Sequence, residues 1–169
     1  MVNITRLTAH YLDASAAVKL VISERGSERL RAYFNTHSGF HITSFCLFEA
    51  LGVLKYKMRK GKISRKEYFD KCWLLLAYLR GKPKSIHIDE LGIDSLETFL
   101  FAEESAKLYR LDLSDALQLV TVKHGKFCKL GQKSNTVLIT SDQPLAEAAK
   151  AEGEAHWRLI GGLGSNLNI

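Results

Sequence analysis

Short apolar runs alternate with longer stretches of helical period along this chain, the pattern of an α/β domain. Ala9 to Leu12 predicts a buried strand ending at Asp13, followed by a helix through Ala16, Ala17, Leu20 and Val21. Gly26-Ser27 breaks the chain, with Ser27 as the expected cap of a helix through Leu30, Tyr33 and Phe34. Phe40 to Thr43 predicts a second strand, and Ser44 the cap of a helix running to about Lys60. Gly61-Lys62 then turns the chain and Ser64 caps a helix over Arg65 to Leu79, so these two helices form a hairpin. Ile86 to Ile88 is a third strand, and Ser95 to Tyr109 and Ser114 to Lys123 are helices. Val137 to Thr140 is a fourth strand, and Pro144 to Ala151 a helix with proline in its first turn. Trp157 to Ile160 predicts an edge strand before a Gly-rich tail, 161–169, expected to be flexible.

Composition keeps this picture to one domain over residues 1–169, with its core between about 10 and 160. A chain of 169 residues that is 46% hydrophobic can bury a proper core without a second domain. No apolar run is long enough for a membrane span or a secretory signal, so a cytoplasmic location is expected. Cys46, Cys72 and Cys128 are odd in number and lack C-x-x-C spacing, which favours reduced thiols over a disulfide framework or zinc.

Charge adds a surface. The formal net charge is +6, and the segment from Lys55 to Lys71 alone carries eight basic residues (Lys55, Lys57, Arg59, Lys60, Lys62, Arg65, Lys66, Lys71) against Glu67 and Asp70. That local +6 equals the charge of the whole chain. A patch of this kind attracts polyanions, phosphate backbones above all, although an isolated charge run is more often a solvated helix face.

Four acids stand apart from this basic background. Asp13, Glu49, Asp115 and Asp142 are each the only charged residue in an apolar or small stretch (11–18, 42–54, 113–122 and 134–146). The other 14 of the 18 acids lie among charges or at turns, where solvent is expected to suffice. Burying an ionised carboxylate costs several kcal/mol unless cations or strong donors compensate it, and one shared metal ion would account for all four. Asp13 and Asp142 follow strands at their carboxyl ends, where ligands gather in open α/β sheets. Asp115 lies in the first turn of its helix. Glu49 is mid-helix, with Leu47, Leu51, Leu54 and Met58 as one stripe and Phe45, Gly52 and Tyr56 around it on a second face expected to pack inward. Singly, Asp13 and Asp142 fit helix caps equally well, and Asp115 fits a dipole-favoured first-turn acid with Asp112 as its cap. Glu49 has no capping role.

Oxygen-only ligands select Mg²⁺ or Mn²⁺ over Zn²⁺. The six histidines show no ligand spacing: His37, His41, His87, His124 and His156 fit surface or strand-end roles, and His10 abuts the first strand.

Tyr-Leu-Asp-Ala-Ser-Ala-Ala-Val-Lys-Leu at 11–20, with Glu24 and Gly26-Ser27-Glu28, resembles the opening of a PIN-domain ribonuclease of the VapC type. Thr43-Ser44 with Glu49-Ala50, Leu113 to Leu119, and Leu138-Ile139-Thr140-Ser141-Asp142 resemble that family's later motifs, in order and over residues 10–160. The resemblance implies a three-layer α/β/α domain with a central, mainly parallel sheet and a protruding helical hairpin. It also implies an Mg²⁺- or Mn²⁺-dependent endoribonuclease, the toxin of a toxin-antitoxin pair, homodimeric and inhibited by a partner peptide. Asp13, Glu49, Asp115 and Asp142 match the four acidic positions, and Ser15 with Thr140 or Ser141 the supporting hydroxyls. Ala14 replaces a frequent hydroxyl residue, Asp112 is an extra acid, and 126–134 is a longer, more basic connection than short members have.

The chemistry suits these residues independently of the family, since phosphodiester hydrolysis needs an activated water and neutralised oxygens, both supplied by a carboxylate-held divalent ion. Asp13, Glu49 and Asp115 are expected to hold one metal, with Asp142 acting through water or at a second ion. Lys55, Arg59, Lys60, Lys62, Arg65 and Lys66 are expected to follow RNA phosphates, with Tyr56 and Phe69 expected as core residues before stacking surfaces. Two rivals are a non-catalytic PIN-fold module binding nucleic acid or protein, and a haloacid-dehalogenase-type enzyme. The latter needs an aspartate where Ser15 stands.

Overall fold

A computed structural model describes residues 8–89, 91–92, 94–127, 135–152 and 156–159. In chain order the elements are β1 (Thr8–Leu12), α1 (Ala14–Val21), α2 (Ser27–Thr36), β2 (Phe40–Ile42), α3 (Ser44–Arg59), α4 (Arg65–Leu79) and β3 (Ile86–Ile88). They continue with α5 (Leu96–Tyr109), α6 (Leu113–His124), β4 (Asn135–Thr140), α7 (Gln143–Ala151) and β5 (His156–Leu159).

The five strands form one sheet in the order β3-β2-β1-β4-β5, every neighbouring pair parallel. A parallel sheet is covered on both faces, which is why the central strands read as continuous apolar runs. Period-two alternation divides their side chains between two cores. Leu12, Phe40, Ile42, Ile86, Val137 and Ile139 pack with residues of α1 to α4, including Ala17, Leu20, Leu30, Phe34, Leu47, Leu54 and Leu75. Ala9, Tyr11 and Leu138 face the opposite way, onto Ala102 of α5, Ala116 and Leu119 of α6, and Leu145 and Ala148 of α7. Helices on both faces make the expected three layers. Each large aliphatic side chain so buried contributes about 1.5–3 kcal/mol.

The α3–α4 hairpin projects from this body. Leu75 is the only α4 residue fully buried among the described residues, and Ser64 caps the helix in a reciprocal capping box with Glu67. Gly61, at φ +67°, makes the turn.

Two caps differ from expectation. Thr43, not Ser44, caps α3, accepting from the Cys46 amide; β2 stops at Ile42 and frees Thr43 for that role. Gly26 at φ +87° takes the cap position of α2, while the Ser27 hydroxyl accepts from the Glu24 amide and donates to the Ile22 carbonyl, bracing the preceding loop. Cys46 is buried and Cys72 partly so, both as free thiols. Among the described residues no helix is long and apolar enough to cross a membrane. Cys128, most of the basic connection at 126–134 and the tail at 161–169 lie outside the described residues.

Chain order reverses at β1: from there the chain moves to β2 and β3 on one side, and β4 and β5 lie on the other. The crevice beyond the carboxyl ends of β1 and β4 is therefore the topological switch point, where ligands of open α/β sheets bind.

Candidate metal centre

Asp13 stands at that crevice as the residue between β1 and α1. Its backbone is extended, its Oδ1 accepts from the Ala16 amide at 2.7 Å, and so it caps α1. The Ser15 hydroxyl donates to both carboxylate oxygens, at 2.9 and 3.0 Å, and the Thr140 hydroxyl donates to Oδ2 at 2.5 Å. Thr140 accepts in turn from the Asp142 amide at 2.8 Å, and Ser15 from the Ser141 amide at 2.8 Å. The ends of β1 and β4 are thereby tied through the two hydroxyls matched in the sequence. Asp142 caps α7, accepting from the Leu145 amide at 2.8 Å.

Asp115 enters from the first turn of α6. The helix cap is Asp112, whose Oδ1 accepts from the Asp115 amide and the Ser114 hydroxyl, both at 2.9 Å, which leaves the Asp115 side chain out of the capping role. Glu49 comes from the second turn of α3.

These carboxylates lie within range of one another's charge, and their proton affinities respond to it. Loss of hydration pushes Asp13 up to about 6 in spite of its three sets of donors, and the charge of Asp142 adds to the rise. Asp115 is pushed up to about 7, first by burial and then by repulsion from Asp112, Asp142, Asp13 and Glu49. Glu49, although largely open to solvent, is raised by a partial loss of hydration and then by the charges of Asp112 and Asp142. Asp112 is lowered, chiefly by the Asp115 amide. Five acids thus converge electrostatically, and among the described residues no lysine or arginine forms an ion pair with any of them.

A donor set of carboxylate oxygens backed by hydroxyls, with its charge uncompensated, fits a hard divalent cation. Among the described residues no group of three or more His, Cys, Asp or Glu side chains is placed to hold a metal ion.

Four expectations need correction. Of the four isolated acids only Asp13 is buried; Glu49 is exposed, and the helix face around it opens to solvent, with Phe45 41%, Phe48 70% and Tyr56 56% exposed. Tyr56 and Phe69 are accordingly surface rings, with Lys60 and Arg65 over them at 5.6 and 6.0 Å. Solvent also does not suffice for every other acid. Asp89, 1% exposed at the end of β3, accepts from the Tyr11 hydroxyl at 2.5 Å and from the amides of Lys126 and Phe127 at 3.2 and 3.3 Å. Its sequence setting, beside Glu90, disguised it as a turn acid. His41 is likewise interior, stacked on Phe127 at 4.2 Å, and burial lowers it to about 4.

Lys55, Arg59, Lys60, Lys62, Arg65 and Lys66 all lie exposed on the hairpin, apart from the acids. Lys66 pairs with Asp70 at 2.6 Å. Lys57 does not join them: it is partly buried and paired with Glu24, which also meets Lys19 of α1 at 3.6 Å. Two residues that the sequence did not single out for this site, Cys46 and Gln118, are joined by a hydrogen bond between α3 and α6. Their signal was spacing: each lies three residues from an acid on the same helix, Cys46 before Glu49 and Gln118 after Asp115.

No family model matches the sequence, and no curated protein matches it. Among solved structures, the fold is similar to the crystal structure of PAE2754 from Pyrobaculum aerophilum, with a TM-score of 0.57 and 17% identity over 92% of this chain and 89% of that one. A domain of a functionally unknown protein from Methanocaldococcus jannaschii aligns with a TM-score of 0.49 and 13% identity, over 95% and 96% of the respective chains.

Proposed function

We propose that this chain is an Mg²⁺- or Mn²⁺-dependent endoribonuclease of the PIN-domain, VapC-like type. The observation that carries the proposal is the convergence of Asp13, Glu49, Asp112, Asp115 and Asp142 at the switch point of a parallel sheet, with no cation among the described residues to balance them. A divalent ion held there supplies Lewis-acid activation of water and neutralises phosphodiester oxygens.

Asp13, Glu49, Asp115 and Asp142 are the residues to hold it. Thr140 and Ser15 fix the Asp13 carboxylate in one orientation, and the same hydroxyls anchor the backbone that presents Asp142. Without a cation the cleft repels the phosphate backbone, so RNA engages the loaded protein. The exposed cations of the hairpin supply non-specific affinity for phosphates. The toxin-like part of the proposal includes a second copy of the chain and an inhibitory partner, and it is supported by apolar side chains left in solvent on α5, where Leu96 is 71% and Leu108 65% exposed.

Cleavage of labelled RNA in Mg²⁺, in EDTA, and by Asp13→Asn in Mg²⁺ tests the catalytic claim. Full activity is expected only in the first, with the variant reduced by at least about 10- to 100-fold, since losing a direct ligand costs no less than losing its outer support. Undiminished cleavage by Asp13→Asn would sink the mechanism.

A further inference from the structure

Gln118 presents a buried donor that the fold itself leaves unused. It is 1% exposed, and its Nε2 has no hydrogen-bond partner among the described residues. An unsatisfied buried amide costs about 1–3 kcal/mol, so its presence calls for a compensating role. The other end of the amide is fixed: Oε1 accepts from the Cys46 thiol at 3.2 Å.

The location of this pair gives the role. Gln118 lies one turn after Asp115 on α6, and Cys46 one turn before Glu49 on α3. Burial raises the Cys46 thiol to about 12, so it stays protonated as a donor, and it lies close enough to Asp13 and Glu49 to feel both charges. The Cys46–Gln118 bond therefore joins α3 to α6 one turn from Glu49 on the first helix and one turn from Asp115 on the second.

We propose that Gln118 is a positioning residue of the acid cluster: with its oxygen anchored by Cys46, its amide nitrogen is reserved for the Asp115 and Glu49 carboxylates when they draw together around a cation. The inference rests on the proposed metal site and assigns a specific residue to its support. A bland packing role for Gln118 makes the opposite prediction, because Gln118→Met would then cost stability and leave cation binding alone.

Calorimetric titration with Mn²⁺ alone, alongside thermal melts in EDTA, separates the two. Gln118→Met is expected to weaken Mn²⁺ binding by about 10- to 100-fold, the usual loss when the outer support of a ligand is removed, without lowering the melting temperature in EDTA. Cys46→Ala, which frees the Gln118 oxygen without touching its nitrogen, is expected to weaken binding to a smaller degree, and Cys46→Ser, which restores a donor, to recover it. Should Gln118→Met fail to fold, the Cys46 pair carries the test. Wild-type affinity in both Gln118→Met and Cys46→Ala would overturn the positioning role while leaving the metal site intact. Absence of any Mn²⁺ site in the wild-type chain, no different from Asp13→Asn, would overturn the metal site and the positioning role with it.

Discussion

Asp13 is both a helix cap and a buried carboxylate, and these roles pull its proton affinity in opposite directions. Donors from Thr140, Ala16 and Ser15 favour the charged form, yet burial wins and the group titrates at about 6. Asp115 goes further, to about 7, because neighbouring carboxylates reinforce burial. Both titrate near 3.8 in an unfolded chain, so between that value and 6 or 7 the folded state binds more protons. Stability present below the unfolded pKa is therefore lost as pH rises through 6 and 7. His41 acts with the opposite sign: held at about 4 against an ordinary 6.5, it removes stability as pH falls through that window. The contributions overlap, so the informative quantity is the difference between wild type and Asp115→Asn in EDTA. The variant is expected to melt higher at pH 7.5 and to converge with wild type towards about pH 4, checked by circular dichroism melts across pH. Identical pH profiles would remove Asp115 from the cluster. Asp13 and Asp142 were legible as acids ending strands, and their capping role was equally legible; the structure gives both residues both roles. Glu49 was legible only as an isolated acid, and the inward-packing face expected around it is open to water. What marks it is the field of Asp112 and Asp142.

At the scale of elements, local signals carried the reading wherever an element is bounded by its own chemistry. The α4 start at Arg65 follows from the Ser64–Glu67 capping box and the Gly61 turn, and its end after Leu79 from Gly81 at φ +75°, all within a few residues of the limits they set. Elements held by distant partners were not legible in this way. Asp89 illustrates the limit, because its burial depends on a Tyr11 hydroxyl 78 residues away and on the loop after α6. Gly125 belongs to the same close packing, since an added Cβ would meet the Asp89 Oδ2 at 2.5 Å and the Thr121 carbonyl oxygen at 2.6 Å. Asp89→Ala strands a buried hydroxyl and two amides, and is expected to lower stability by about 3 kcal/mol in urea denaturation. A change under about 0.5 kcal/mol would show that water replaces the carboxylate. The hairpin makes a separate prediction. Reversing charge at Arg59, Lys60 and Lys62 is expected to weaken RNA binding and to flatten log K against log salt by about 0.7 for each single-strand phosphate that the variant no longer neutralises. Melting temperature should hold, because these side chains are exposed. An unchanged salt slope would assign the patch to another partner.

For the whole molecule, the α/β class was legible from alternation alone, whereas the strand order was not, because nothing within β1 states that β2 and β4 flank it. That order is what gives the four acids a common address. Asp13 and Asp142 come within range of each other because β1 pairs with β4 in a register that sets Leu12, the last residue of β1, beside Ile139, the last but one of β4. The helices on the two faces then deliver Glu49 from one core and Asp115 from the other, so the cluster joins layers that otherwise pack separately. A cation bound by acids from both layers would stabilise the whole fold and not one element, because it binds the folded chain and finds no such site in the unfolded one. At a hundredfold excess over its dissociation constant the gain is about 2.7 kcal/mol, which for a domain of this size raises the melting temperature by roughly 5–11 °C. Mn²⁺ titrated into the metal-free protein should produce that rise in wild type and little of it in Asp13→Asn. Equal shifts in the two proteins would mean that the ion binds elsewhere, and would leave the uncompensated cluster to be explained by some other positive ligand.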